Sequence, residues 1–222
     1  MWRGIVVAMP DVVFADRREA GSRLGVLLRE RGLGGPGAIV AGVPRGGIVV
    51  AAEVARELDS PLRAIVARKL GAPGQPELAI GALGPDGSVL LDDTLAARVG
   101  VSEEWLERSV AVERAELASR TRQFPGVATA TEVEGRVVIV VDDGVATGAT
   151  AAAVGTWLEH AAAARRVLAL PVGPPSTLAR LAGAYDDVIT LAQPSQFIAV
   201  GQWYVDFDQV TDTEVVALLS DG

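Results

Sequence analysis

The sequence has no cysteine. Disulfides, zinc thiolates and a thiol nucleophile are therefore excluded, and the chain suits a reducing cytosol. The single histidine, His160, sits in an Ala-rich stretch with no Ser or Asp partner at a telling spacing, so neither a catalytic triad nor a histidine metal site has support. Aromatic residues make up only 5 % of the chain, so the few that cluster carry information. No apolar run approaches the ~20 residues of a membrane span. The N-terminal run Ile5-Val6-Val7-Ala8-Met9 is stopped by Pro10 and Asp11, too early for the core of a signal peptide. We expect a soluble, cytoplasmic protein. Basic tails and stripes are missing and the net charge is −8, which leaves nucleic-acid binding without its electrostatic drive. A small-molecule partner is expected instead. There is no Walker loop, and no Gly-x-Gly-x-x-Gly opens a helix after a strand, which removes the kinase and dehydrogenase readings.

What is present is concentrated between Val137 and Thr150. Val137-Val138-Ile139-Val140-Val141 reads as a central strand of a parallel sheet covered on both faces. Two adjacent carboxylates, Asp142 and Asp143, stand at its carboxyl end, where ligands bind in such sheets. The small polar segment Ala146-Thr147-Gly148-Ala149-Thr150 then leads into the helix-forming run Ala151 to Leu158. Amides of such a loop at a helix N-terminus point outward unpaired and, with the helix dipole, cradle a phosphate. The alternative is a plain strand–helix unit whose acids cap the helix, but a cap needs one acid and this loop has two. Phosphate at one end and acids a few residues away fit a sugar phosphate whose ring hydroxyls reach the carboxylates.

The run resembles the 5-phosphoribosyl-1-pyrophosphate (PRPP) motif of type I phosphoribosyltransferases: a hydrophobic strand, two acids, then Thr-Gly-Gly-Thr. The resemblance implies that Asp142 and Asp143 hold the ribose hydroxyls while Ala146 to Thr150 hold the 5-phosphate. Ala149 departs from the pattern, standing where a glycine is usual.

Helices and strands alternate along the rest of the chain, the pattern of a parallel α/β sheet. The spacing predicts a helix over 16–31, a strand over 38–43, a helix over 48–58 and a strand over 62–66. A β pair, 79–83 and 88–91, flanks the turn Gly84-Pro85-Asp86-Gly87. Ser102 caps a long charged helix to about Arg122. After the motif come a strand over 166–170, a short helix over 176–181, a strand over 187–191 and a last helix over 212–219. The expected fold is α/β: an open, mainly parallel, doubly wound sheet. One domain spans 1–222, with a core of about 14–191 and a small hood built from about 1–13 and 192–222.

Two further loops follow strands. Pro44-Arg45-Gly46-Gly47 offers close backbone approach and a bidentate cation before a helix. The family's pyrophosphate loop has this form; an ordinary Gly-rich turn with a surface Arg is the other reading. Segment 67–77 begins with Arg68 and Lys69, the only lysine of the chain, and ends at Glu77. The resemblance implies a mobile loop whose basic pair closes over pyrophosphate. There Glu77 either exchanges a proton with the acceptor or is a surface carboxylate. The aromatic tail 197–207 is similar to the hood of purine phosphoribosyltransferases. By that resemblance Phe197 or Trp203 stacks the acceptor, Val200 offers backbone groups to its edge and Asp206 helps hold Mg²⁺; core packing is the alternative for these side chains. Pro171-Val172-Gly173-Pro174-Pro175 lacks the lysine with which those enzymes read a 6-oxo group, which puts a 6-oxopurine acceptor in doubt.

The resemblance thus implies a homodimeric enzyme using Mg²⁺ that transfers phosphoribosyl from PRPP to a nitrogenous or aromatic acceptor. A PRPP-sensing regulator of the same fold without turnover is the competing reading. PRPP synthesis is a further rival, but needs an ATP site and a longer chain.

Overall fold

The computed structural model describes residues 13–220, together with the backbone of Ile5–Val6. Most of the N-terminal part of the expected hood, 1–13, lies outside these residues.

The centre is a six-stranded, all-parallel sheet in the order β1-β9-β8-β7-β2-β3. Its strands are β1 (Ile5–Val6), β2 (Ala38–Gly42), β3 (Leu62–Ala64), β7 (Val137–Val141), β8 (Arg165–Val172) and β9 (Asp187–Ala192). The chain winds from β2 outward to β3 on one side, then returns to the middle and winds from β7 through β8 to β9 on the other. The switch point lies between β2 and β7, which pair in register from Ala38↔Val137 to Gly42↔Val141. Crevices at such points, outside the strands' carboxyl ends, are where open α/β sheets bind ligands.

The apolar run of β7 serves both faces, as a strand covered on both sides must. Ile139 and Val141 face helices α1 (Arg17–Glu30), α2 (Gly46–Leu58) and α8 (Asp212–Ser220). Val138 and Val140 face α6 (Ala149–His160) and α7 (Pro175–Leu181). Ile139, Val138, Val140 and Val141 are all fully buried. Each such side chain contributes about 1.5–3 kcal/mol by leaving water. Asp16 starts α1 by accepting a hydrogen bond from Glu19 N at 2.8 Å, and Ser102 starts α4 (Glu103–Gln123) by accepting one from Trp105 N at 3.2 Å. No helix among the described residues is long and apolar enough to cross a membrane.

The segment after β3 differs from the sequence reading. Residues 67–77 do not form an irregular loop: β4 (Arg68–Ala72) and β5 (Gln75–Leu83) make an antiparallel hairpin, extended by β6 (Val89–Leu91) into a second, three-stranded sheet. The Gly and Pro residues that suggest a loop have local tasks. Pro73-Gly74 makes the two-residue turn, with Gly74 at φ +68°. Gly71 lies at a register shift, where a Cβ would come 2.6 Å from Pro76 O. Two short helices, α3 (Asp93–Arg98) and α5 (Ala130–Val133), add to the expected set.

The tail after β9 runs back along the start of the described chain. Phe14 N donates to Trp203 O, Val205 N to Phe14 O and Asp206 N to Ala15 O. Phe14, Val172, Ala192 and Tyr204 form a small apolar cluster here, with Phe197, Val200, Trp203 and Phe207 packed on it.

Candidate active site

Asp142 and Asp143 leave β7 at the switch point. Their backbone turns at once: Asp143 N donates to Asp142 Oδ1 at 2.9 Å, and Gly144 follows at φ +152°. Burial pushes the Asp142 carboxyl well above the ordinary carboxylate range, and the neighbouring Asp143 charge adds to it. Burial also raises Asp143, opposed by the Arg17 guanidinium, whose Nε donates to Asp143 Oδ2 at 2.8 Å. Two desolvated carboxylates side by side are costly unless a ligand or cation answers them.

The loop that follows has its amides free. None of the N–H groups from Ala146 to Thr150 donates to a backbone carbonyl outside α6 among the described residues. Gly148 takes φ +72° as the residue before α6, a conformation only glycine adopts without strain. Ala149, the departure from the family pattern, is already the first residue of the helix and needs no left-handed conformation. Two side chains from α7 hold the loop from behind: Thr177 Oγ1 donates to Ala146 O at 2.7 Å, and Arg180 donates to Thr147 O. The geometry is that of an anion cradle at a helix N-terminus.

Across the β2–β7 seam, the 44–47 loop meets the acids directly. A Cβ on Gly46 would overlap Asp143 Oδ2, and one on Gly47 would lie 2.8 Å from Asp142 Oδ1. The Pro44–Arg45 peptide is cis. Arg45 Nη1 stands 3.9 Å from Asp212 Oδ1. Arg17, Arg45, Gly46 and Phe207 line one cavity of about 330 Å³ beside Asp208.

The remaining expected residues lie further out. The exit of β3 passes the same end of the sheet, with Ile65 N donating to Gly42 O at 2.9 Å, and the hairpin begins three residues later. On it Arg68 Nε bonds Glu113 Oε2 at 2.8 Å, and Lys69 Nζ bonds the exposed Glu77 at 3.0 Å. Both cations are thus engaged by carboxylates in this conformation. Phe197 and Trp203 stack at 6.3 Å between ring centroids with 20° between planes. Val200 packs on Gly144, its Cγ1 2.7 Å from where a Cβ would be, so the tail touches the acidic loop. Trp203 Nε1 is buried with no hydrogen-bond partner among the described residues. Asp206 is exposed, and its Oδ1 accepts from Asp208 N at 3.1 Å. No group of three or more His, Cys, Asp or Glu among the described residues forms a metal cluster.

Sequence reading does not find Arg17, Tyr204, Thr177 and Arg180. Tyr204 donates its hydroxyl to Asp143 O, from 61 residues away in sequence. Nothing local marks any of them, because each acts through a long-range contact.

A Mycobacterium tuberculosis protein provisionally named a phosphoribosyl transferase is 42 % identical over 207 residues, covering 93 % of this chain and 46 % of its own. The chain therefore spans about half the length of the curated relatives it matches. The crystal structure of the protein TT1426 from Thermus thermophilus is 42 % identical with a TM-score of 0.77, over 94 % of this chain and 98 % of that one. The model of the phosphoribosyl transferase domain matches residues 28–205, a span that holds both strand-end loops, the hairpin and most of the tail, and the chain belongs to that family.

Proposed function

We propose that the protein transfers the 5-phosphoribosyl group from PRPP to a nitrogenous, nucleobase-like or aromatic acceptor with release of pyrophosphate. One observation carries the reading: paired acids and an open amide cradle stand together at the β2/β7 switch point, with Gly46 and Gly47 against the acids. The 5-phosphate sits on the amides of Ala146 to Thr150, and Asp142 and Asp143 accept hydrogen bonds from the ribose hydroxyls. Pro44, Arg45, Gly46 and Gly47 receive the pyrophosphate. The C1–O bond to pyrophosphate breaks with its electron pair leaving on that oxygen, and the acceptor nitrogen forms the new bond at C1 and gives up its proton to the departing pyrophosphate. The acids stabilise positive charge on the sugar; Arg45, Arg68 and Lys69 stabilise negative charge on the leaving group.

Arg68 and Lys69 reach it by exchanging Glu113 and Glu77 for phosphate as the hairpin closes, which also excludes water. On the acceptor side, Phe197 or Trp203 stacks the ring and Val200 lies along its edge. Mg²⁺ is ordinarily bound through one or two carboxylates plus substrate phosphates. Such an ion would arrive on PRPP and would neutralise charge on the phosphates, and Asp206, exposed on the tail, would be the protein carboxylate to hold it. A cytoplasmic homodimer, with the tail as hood over this domain, completes the proposal.

The test is to incubate the protein with PRPP, Mg²⁺ and a panel of nucleobases and aromatic or amide acceptors while measuring pyrophosphate release. Release that depends on one acceptor class is expected. PRPP binding with no release in any arm would support the sensing reading in place of transfer.

A further inference from the structure

Arg17 reaches the acidic pair from an element that carries no motif. It is the first residue of α1, and its side chain, 11 % exposed, is more buried than that of any other arginine in an ion pair among the described residues. Three contacts fix it. Nε donates to Asp143 Oδ2 at 2.8 Å, Nη1 donates to Asp208 O at 2.9 Å, and Cζ lies 3.8 Å from the centroid of the Phe207 ring. Gly46 must lack a side chain for this to exist, because a Cβ there would come 2.8 Å from Arg17 Nε as well as overlapping Asp143. One guanidinium therefore touches the acidic loop, the 44–47 loop and the tail at once.

The groups facing Asp143 are few. Asp142 stands beside it, Arg17 faces it from α1, and the Tyr204 phenol comes from the tail to its carbonyl. The Tyr185 phenol is buried on the Asp142 side and donates to Ala151 O. Arg45, on the adjoining loop, is turned to Asp212. Arg17 is thus the one cation bonded to the pair among the described residues.

We propose that Arg17 is a positioning residue for the acidic pair: it offsets the cost of charge on the buried Asp143 carboxylate, fixes that carboxylate's orientation for the sugar hydroxyls, and ties it to the tail through Phe207 and Asp208. The proposal rests on the transferase reading for its ligand, but not for its effect on the acids. A planar fork over an aromatic ring, with one N–H on a carboxylate and another on a carbonyl, is a geometry lysine cannot reproduce. Arg17 acts through Asp143 and need not touch the substrate.

Two measurements on the full chain test this, with Arg17→Met and Arg17→Lys. Carboxyl-carbon NMR of aspartate-labelled protein follows the Asp142/Asp143 pair, which titrates as a unit. Arg17→Met should move the pair's titration to higher pH, with Arg17→Lys between it and the parent. PRPP affinity at neutral pH should fall roughly tenfold to a hundredfold in Arg17→Met, the effect of losing a hydrogen bond to a charged group, while inorganic phosphate binding on the 146–150 loop stays unchanged. Arg17→Lys should keep part of the charge effect but lose affinity nearly as far as Arg17→Met, a split that a purely structural role would not give. If Arg17→Met does not fold, Arg17→Lys decides by that split. An unmoved pair titration overturns the proposal whether or not PRPP binds. A titration moved by Arg17→Met, with a parent that never binds PRPP, would leave the charge role standing and bring down the transferase reading.

Discussion

At the scale of single residues, the site keeps two carboxylates where the fold alone would not want them. Burial raises both carboxyls above their usual values, Asp142 well above and Asp143 less clearly because Arg17 opposes the shift. A carboxyl that is harder to ionise when folded contributes stability that is fully present below its unfolded pKa. That stability is lost as pH rises through the folded pKa. Neutral pH is therefore where the pair costs the fold most. We predict that Asp142→Asn, which can keep its oxygen on Asp143 N, raises stability at neutral pH by about 0.5–2 kcal/mol, as relief of a functional site commonly does. In a chain of this length that is a Tm increase of roughly 2–4 °C per kcal/mol. Its advantage should shrink on acidification, and PRPP affinity should fall. Thermal melts across pH check the sign; a Tm lowered at neutral pH would contradict it. The adjacent acids at the end of β7 and the small-residue loop before α6 are legible in the sequence because they are contiguous. Arg17 is not, since its bond to Asp143 spans 126 residues and nothing in Arg17-Arg18 says which of them turns inward.

Elements are legible in proportion to their length and periodicity. The strand at 137–141 lies where the sequence places it, and the helix capped by Ser102 ends within a residue or two of the expected point. The short helices α3 and α5 are too brief to show a period, and only their caps, Asp92 and Thr129, mark them. The hairpin reads as a loop because Gly and Pro signal loops in general, whereas here they make a turn and a bulge. The correction changes what the proposed closure would have to move: a hairpin as a unit, not a flexible loop. Lys69→Ala should still lower kcat more than PRPP affinity, by about 2–4 kcal/mol in the barrier, roughly a hundredfold to a thousandfold. Equal losses in kcat and PRPP affinity, or none, would remove Lys69 from the closed state. The 44–47 element gives a second prediction. Gly46→Ala drives a methyl into Asp143 and should cost about 1–3 kcal/mol of stability as well as PRPP binding. A variant as stable as the parent would show that the loop yields easily.

On the scale of the whole molecule, the winding order does what no residue does alone. Because the sheet grows in opposite directions from β2 and β7, two strand ends separated by 99 residues in register, Gly42↔Val141, lie side by side and their loops share one crevice. Alternating periodicity points to the fold class; the strand order needs the structure, since periodicity does not say which strands are neighbours. The sheet's interior should be correspondingly intolerant. Ile139→Ala, at a fully buried position of the central strand, should cost about 2–5 kcal/mol in denaturant melts, and a loss under about 1 kcal/mol would mean the core repacks around it.

The central claim is that the acids and the amide cradle together form a PRPP site. Isothermal titration of PRPP with Mg²⁺ into the parent and into the Asp142→Asn, Asp143→Asn double variant tests it most directly. One saturable site per chain is expected in the parent, and a loss of at least tenfold in affinity, about 1.4 kcal/mol or more, in the folded double variant. Equal affinity in the two proteins, or no PRPP binding by the parent, would contradict it.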